Sequence, residues 1–306
     1  MPKTAEDIAA SREERERLRQ KWGGTIPTSI WEINYGLDGG IIEFGQAQNT
    51  VADKKHAAKI LHGDYDPTLR SICAVSAKVV RGKGAGLSVF PYDLLRRAVL
   101  FYTEPGEIVL DPCAGHNSRM QGVWELGRGY VGYDICKEFM TFNRDVSVRI
   151  QKADQGAFFS RGGPCLVLHE QSSEHMEEAD NSVHFVFTSP PYWNLEFYGD
   201  HPAQLGWNHT YPEFLDGIQR VAAESFRVLK PGRYAAININ DFQADGKFYM
   251  YHADLAERFV RVGFALHDLI IVKWAASFGT IFASQVESRK KVGKMHEFLV
   301  VLKKPA

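Results

Sequence analysis

The chain has 306 residues, of which 44% are hydrophobic, so it can bury one large core or one core with an appendage. Its 36 lysines and arginines nearly balance its 37 aspartates and glutamates, so overall charge neither requires nor excludes a nucleic-acid partner. The four cysteines form no metal-ligand spacing, so we expect no structural metal. The N-terminus is too charged for a signal peptide, and no apolar run could span a bilayer. We therefore expect a cytoplasmic protein without a membrane partner.

The first part of the chain carries little functional information. Residues 4–22 are highly charged and lack Gly and Pro, which predicts a solvated helix. Residues 23–86 show a weaker pattern, with short apolar pieces such as SIWEI, and end near RGKG, which favours a solvated glycine loop over a phosphate contact. We therefore predict an N-terminal helix and extension over residues 1–85, serving recognition or packing, and a main domain over residues 86–306.

The main domain shows a regular alternation of elements. PYDLLRRAVLFY (residues 91–102) has helical spacing with proline at its start. Further helices are expected near residues 119–126, 137–152, 212–229 and 252–262. Strands are expected at EIVLD, GYVGYD, PCLVLHE, VHFVF, RYAAININ after a KPG turn, ALHDLIIVKW and HEFLVVLKK. This alternation predicts an α/β fold with an open, mostly parallel, Rossmann-like sheet and helices on both faces.

Two features suggest a ligand site where the first two strands of this sheet end. The loop DPCAGHNSR (residues 111–119) follows the strand EIVL, and Gly115 allows a ligand to approach the backbone. Asp134 ends the next strand, where a carboxylate can accept both hydroxyls of a ribose. Since GxGxxG and a P-loop lysine are both missing, an adenosine ligand without phosphates fits better than NAD. Taken alone, the pair is equally consistent with an ordinary βα turn.

A second loop gives the chain a family resemblance. The strand VHFVF stops at two adjacent prolines in TSPPYW (residues 188–193). A DP-x-A-G loop combined with TSPPYW resembles the S-adenosylmethionine-dependent methyltransferases that modify exocyclic amino groups of DNA bases. FPYDLLRRAVLFYTEPGEIVLDPCAG, RVLKPGRYAAININD and MHEFLVVLKKP are similar to other segments of that family, in consistent order. The resemblance covers roughly residues 86–305. It implies a class I methyltransferase fold with a seven-stranded sheet, S-adenosyl-L-methionine as cofactor, and DNA as substrate, as in restriction-modification enzymes.

The resemblance also implies roles for individual residues. An exocyclic amino nitrogen is a poor nucleophile because its lone pair is delocalised, so a site must hold both of its N–H bonds in acceptors. The family pattern gives this task to Ser189 and the carbonyl of Pro190, with Pro191 stiffening the backbone and Tyr192 stacking on a flipped base. The cofactor-binding residues that it implies are Phe90, Asp111, Cys113, Gly115, Asp134 and Glu170.

The sequence departs from the family pattern in three places. The glycine loop continues as GHNSR, so His116 and Asn117 either contact the cofactor carboxylate or shape the turn. Cys113 stands where the family more often has phenylalanine, and we interpret it as packing. Cys165 opens an apolar strand, which favours buried packing over the cysteine nucleophile that methylation of cytosine C5 would need.

Several alternatives stay open at this point. Because serine at the first position of this loop is commoner among the cytosine-N4 enzymes of the family that the chain resembles, Ser189 favours cytosine N4 as the target, with adenine N6 as the alternative. A catalytically inactive nucleic-acid-binding protein is a rival from another class. A nicotinamide oxidoreductase is disfavoured by the missing glycines. The segment that reads DNA sequence could be residues 22–81, 193–209 or 277–294, and Phe197 and Tyr198 belong to DNA or to the core. Both a monomer and a homodimer are compatible with the sequence.

Overall fold

The computed structural model describes residues 5–22, 27–33, 90–115, 118–153, 165–195, 201–207, 209–274 and 295–306. The helices in these ranges are α1 (Ala5–Lys21), α2 (Tyr92–Tyr102), α3 (Ser118–Glu125), α4 (Lys137–Ala153), α5 (Tyr211–Val228) and α6 (Tyr251–Arg261). The strands are β1 (Ile30–Ile33), β2 (Ile108–Asp111), β3 (Gly129–Asp134), β4 (Leu166–Glu170), β5 (Val183–Thr188), β6 (Leu229–Ile239), β7 (Phe242–Ala244), β8 (Lys247–Tyr249), β9 (Ala265–Trp274) and β10 (His296–Lys303). Every predicted helix and strand is present.

One open sheet organises the molecule, with the strand order β1-β9-β10-β6-β5-β2-β3-β4. Strand β10 runs antiparallel to both of its neighbours, and the other neighbouring pairs are parallel. The prediction of an open, mostly parallel α/β sheet is therefore confirmed. The predicted count of seven strands is wrong, because β1 adds an eighth beside β9. Its residues alternate between exposed and buried, and Trp31 and Ile33 enter the core, so the strand covers the edge of β9.

Helices cover both faces of the sheet, as predicted. On one face, apolar residues of α2, α3 and α4 pack on Phe185 and Phe187 of β5. On the other face, α5 and α6 pack on Val186 and on the strand residues beside it. Side chains that alternate along β5 therefore enter two separate cores. This double burial explains why VHFVF is almost continuously apolar.

The sheet reverses its direction of winding between β2 and β5. From β2 the chain continues outward through β3 and β4, then returns to β5 on the other side of β2 and continues through β6. In open parallel sheets, ligands bind beyond the carboxyl ends of the strands at such a switch point. The glycine loop follows β2 and the Ser-Pro-Pro-Tyr loop follows β5, so both candidate loops lie at this position.

Two local predictions need correction. The KPG segment lies inside β6, where Gly232 has a φ of 75° and its N–H donates to the carbonyl of Lys304, so the strand bulges where a turn was expected. A hairpin of β7 and β8 was not predicted. Asp245 and Gly246 form its turn with φ angles of 48° and 73°, and an Asp-Gly pair is a recognised signal for such a hairpin.

Helix α1 lies against the C-terminal end of α2. Lys21 forms an ion pair with Glu104, and the rings of Trp22 and Phe101 meet edge to face with centroids 5.3 Å apart. The predicted solvated helix is confirmed, since the side chains described along most of its length are exposed. The RGKG segment, His116, Asn117, Phe197, Tyr198 and the basic segment at residues 277–294 lie outside the described residues. No helix in the described ranges is long and apolar enough to cross a bilayer.

Candidate active site

A buried carboxylate joins the two candidate loops. Asp111 ends β2, is fully buried, and accepts hydrogen bonds from the side chains of Arg119 (2.5 Å), Tyr130 (2.9 Å) and Thr188 (2.7 Å), and from the backbone N–H of Cys113 (3.3 Å). Thr188 directly precedes Ser189, so the Asp111 side chain fixes the start of both the glycine loop and the Ser-Pro-Pro-Tyr loop. A buried carboxylate is stable only when it is paired and hydrogen-bonded in this way.

Arg119 extends this network toward Phe90. Its guanidinium also donates to the carbonyl of Cys113, and it lies over the Phe90 ring, 5.0 Å from the centroid. Burial is the largest single effect and lowers the pKa of Arg119, but the Asp111 carboxylate, Tyr130 and Cys113 together leave that pKa raised. Phe90 meets Phe187 edge to face and is 7% exposed, so its ring is also part of the core.

The glycine loop is held by a second acid. The backbone N–H of Gly115 donates to Oδ2 of Asp134 (2.8 Å), and the N–H of Cys136 donates to Oδ1 (2.8 Å). Asn143 of α4 donates to the carbonyl of Gly115 from the other side. Burial raises the pKa of Asp134 to about 6, against the effect of the two N–H groups. Gly115 has a φ of 56°, and among the described residues a Cβ at this position would meet only the Arg119 guanidinium, 3.9 Å away, so those residues leave space beside its backbone.

The other two predicted cofactor residues take different positions. Cys113 lies within the network, and burial, followed by the nearby Asp111 and Asp134 carboxylates, raises the pKa of its thiol, so the thiol stays protonated. Glu170 ends β4 beside Asp134 in the parallel register, but it pairs with Arg144 at 2.6 Å on the surface. It does not join the Asp111 network among the described residues.

Aromatic side chains hold the Ser-Pro-Pro-Tyr loop. The Tyr192 hydroxyl accepts the backbone N–H of Asn240 at the end of β6 (2.8 Å), and its ring meets Phe242 edge to face. The Tyr251 hydroxyl donates to the carbonyl of Pro191 (3.2 Å). Ser189 and Tyr192 are partly buried, so the loop forms the edge of the core and keeps part of its surface accessible.

The turn after Tyr192 packs closely. Trp193 is 7% exposed and donates its indole N–H to the carbonyl of His209, so it packs in the core. Asn194 donates its N–H to the carbonyl of Gly206, and a Cβ on Gly206 would lie 2.8 Å from the carbonyl oxygen of Tyr192. Only glycine permits this approach.

Comparison with known proteins fits this geometry. A model of the DNA methylase family, which covers N6 and N4 methylases, matches residues 3–144 and 183–306. The chain belongs to the DNA methylase family. The match includes β2 with the glycine loop, Asp134 at the end of β3, and β5 with the Ser-Pro-Pro-Tyr loop. The predicted family is thus confirmed, and so is the predicted class I methyltransferase fold, apart from the number of strands.

Individual relatives of this DNA methylase family match over short segments. The type II methyltransferase M.XycI of Xanthomonas campestris pv. cyanopsidis is 42% identical over 65 residues, 21% of this chain and 21% of its own. The type II methyltransferase M.SfiI of Streptomyces fimbriatus is 36% identical over 62 residues, 20% of this chain and 14% of its own. The matches thus span less than a quarter of either relative. A protein assigned as a DNA modification methylase of Thermus thermophilus, complexed with S-adenosyl-L-methionine, is 31% identical over 42% of this chain and 51% of its own, with a TM-score of 0.33.

The structure adds residues that the DNA methylase motifs did not identify. Arg119, Tyr130 and Thr188 surround Asp111, and Tyr251 contacts the proline loop. Arg119 is the last residue of DPCAGHNSR and Thr188 is the first residue of TSPPYW, and these positions were an available signal. The prediction that Cys165 is buried is wrong, because the residue, which directly precedes β4, is exposed, while its carbonyl accepts the N–H of Tyr130.

A partly buried acid lies near the same edge of the DNA methylase sheet. Glu297 of β10 accepts a hydrogen bond from Asn238 of β6 (2.7 Å), and burial raises its pKa from 4.5 to about 7. Folding therefore favours the protonated acid, and this contribution is full below about pH 4.5 and is lost as the pH rises through 7. Glu297→Gln, which imitates the neutral acid, should be more stable than the native protein at about pH 8 by roughly 1–3 kcal/mol, with little difference at about pH 5.

Urea unfolding at both pH values measures the effect of Glu297→Gln. Glu257→Gln is the matched control, because it removes an exposed carboxylate that pairs with Arg261. Equal pH dependence in the native protein and in Glu297→Gln would contradict the assignment of this titration to Glu297.

Proposed function

We propose that this protein transfers a methyl group from S-adenosyl-L-methionine to an exocyclic amino group of a flipped DNA base, with cytosine N4 favoured, and that it works in the cytoplasm. The observation that carries the proposal is the hydrogen bond of Thr188 to Asp111. It joins the loop suited to a nucleoside cofactor to the loop suited to an amino group, at the position where open sheets bind ligands. A donor and an acceptor of the methyl group can therefore meet there.

The described residues fit the cofactor. From the described residues each oxygen of Asp134 accepts one N–H, and because an ionised carboxylate has about four acceptor positions, the others could take the ribose hydroxyls. The space beside Gly115, which a Cβ would fill, suits the close approach of a ligand to the backbone. When bound, the cofactor supplies a methyl group on a positively charged sulfur.

The Ser-Pro-Pro-Tyr loop would bind the target amino group. The Ser189 hydroxyl and the carbonyl of Pro190 would each accept one N–H, which localises the nitrogen lone pair for in-line attack. The fixed φ angles of Pro190 and Pro191 limit the directions that the carbonyl can take. Tyr192 would stack on the base, while its hydroxyl stays bonded to Asn240. The nitrogen would take the methyl group as the methyl–sulfur bond breaks and a neutral thioether is left, and it would then lose one proton to water, which leaves the neutral methylated base.

The choice of base rests on Ser189. A serine hydroxyl accepts a hydrogen bond without charge, and the resemblance of the loop associates serine with cytosine N4. Adenine N6 is the alternative target. Incubation with tritiated S-adenosylmethionine and mixed DNA, followed by nucleoside digestion and mass spectrometry, tests substrate, base and position together. N4-methylcytosine is expected. N6-methyladenine would replace the favoured target, and cofactor binding without any methylated nucleoside would support the inactive nucleic-acid-binding protein.

The substitution Asp134→Ala should weaken binding of the cofactor. Loss of two charge-assisted hydrogen bonds to ribose should reduce affinity for S-adenosylmethionine roughly tenfold or more, as measured by calorimetry at about pH 8. Because the pKa of Asp134 is about 6, the native affinity should also fall as the carboxylate is protonated below that pH. Asp180→Ala, which removes an exposed partner of Arg227, is the control. Unchanged affinity in Asp134→Ala would exclude Asp134 from the cofactor site.

A further inference from the structure

The proline loop has few ways to be held in place. Pro190 and Pro191 have no backbone N–H, so across these residues the loop can be anchored only through carbonyl oxygens and side chains. The carbonyl of Pro191 accepts the hydroxyl of Tyr251 at 3.2 Å. Tyr251 is fully buried, and its ring centroid lies 5.9 Å from that of Tyr192. One buried side chain therefore contacts two successive residues of the loop.

Tyr251 is itself fixed by the fold. It is the first residue of α6, and the residue after it, His252, donates both its backbone N–H (3.2 Å) and its Nδ1–H (2.6 Å) to Asp241. Asp241 lies just beyond β6, so the start of the helix is attached to the edge of the sheet. Leu255 and Phe259, one and two turns further along α6, are buried in the core. The hydroxyl of Tyr251 is thus presented from a rigid support.

Tyr251 also lies near the cofactor loop. Its pKa is raised well above the ordinary value by burial first and then by neighbours that include Cys113, so the hydroxyl keeps its proton and acts as a donor. Cys113 belongs to the glycine loop that Asp111 and Arg119 hold. The tyrosine therefore contacts the proline loop directly and is close enough to the glycine loop to interact with it electrostatically.

We infer that Tyr251 is a positioning residue for methyl transfer, which fixes the carbonyl of Pro191 and thereby aims the carbonyl of Pro190 at the target amino group. This inference rests on the proposed function. The peptide planes that carry the two carbonyls are separated by φ and ψ of Pro191, and the proline ring fixes φ. Once the Tyr251 hydroxyl holds the second plane, only ψ of Pro191 is left to move the first.

Tyr251→Phe tests the inference, because it keeps the ring and removes only the hydroxyl. With saturating cofactor and DNA, the single-turnover rate of methyl transfer should fall roughly tenfold, the effect of one lost hydrogen bond, while the Kd values for cofactor and DNA stay within about twofold. Tyr211→Phe is the matched control. It removes a hydroxyl that donates to Asp254 (2.7 Å) from the same aromatic cluster, and its rate should stay native. Melting curves of both variants are measured first, so that the assay can be run below their unfolding midpoints.

The outcomes separate the inference from the proposed function. A native rate in Tyr251→Phe, with the native protein methylating DNA, overturns the inference alone. Equal losses of the single-turnover rate in Tyr251→Phe and Tyr211→Phe would indicate general loosening of the aromatic cluster and would also overturn the inference. A loss in Tyr251→Phe that is confined to cofactor affinity would overturn it as well. If the native protein transfers no methyl group to DNA, the proposed function is wrong and the inference is wrong with it.

Discussion

Asp111→Ala is expected to lower the free energy of unfolding by about 3–5 kcal/mol and to abolish activity. The substitution removes a fully buried carboxylate and leaves the guanidinium of Arg119, which is 8% exposed, without its counter-charge. Tyr130 and Thr188 lose their acceptor at the same time. Because the two loops share this anchor, both should lose their positions together. Urea unfolding and the methyl-transfer assay measure the two effects.

The control for Asp111→Ala is Asp216→Ala. Asp216 also pairs with an arginine, Arg258 at 2.5 Å, but 56% of its side chain is exposed. Exposed pairs contribute little, so this variant should lose less than about 1 kcal/mol and stay active. Asp111→Asn keeps the size of the side chain and removes its charge. Its loss of unfolding free energy should lie between those of Asp111→Ala and Asp216→Ala. A loss in Asp111→Ala as small as that in Asp216→Ala would show that the Asp111 network does not stabilise the fold.

Ser189→Ala should reduce methyl transfer by roughly 10²-fold while S-adenosylmethionine still binds. The serine hydroxyl is one of the two proposed acceptors for the amino group, and alanine leaves one N–H without a partner during transfer. The Thr188 bond to Asp111 is unaffected, so the fold and the cofactor loop should be preserved. Single-turnover assays and calorimetry, carried out on the same preparation, separate the rate from cofactor affinity.

Ser182→Ala is the control for Ser189→Ala, since its hydroxyl donates to the carbonyl of Ala179 on the surface. Tyr192→Ala should also abolish transfer and keep cofactor binding, because it removes the ring proposed to hold the base. Full activity in both Ser189→Ala and Tyr192→Ala would refute the assignment of this loop to catalysis.

Most of the architecture could be predicted from the sequence because its signals are local. The alternation of helices and strands follows from the spacing of apolar residues, and the topology rule for open sheets then places the loops after EIVLD and VHFVF together. Strand β1 was harder to predict, because four residues of SIWEI carry too short a pattern. The β7–β8 hairpin was missed although its Asp-Gly turn was readable.

The internal chemistry of the site could not be predicted, because its partners are distant in the chain. Thr188 lies 77 residues after Asp111, and Tyr251 lies 60 residues after Pro191. The spacing of apolar residues indicates that such residues are buried, but it does not indicate which side chains they contact. Arg119 could have been read as a charged surface residue of a helix, whereas the fold turns it inward toward Asp111.

The shared carboxylate of Asp111 limits how the protein can be redesigned. A library that aims to admit larger cofactor analogues at the proposed site would vary residues outside this network, such as Glu170, one at a time. Positions 111, 119 and 188 form a single unit, since a change at one alters the surroundings of the others. Their substitutions are therefore expected to combine non-additively, and useful variants would have to be sought among simultaneous replacements.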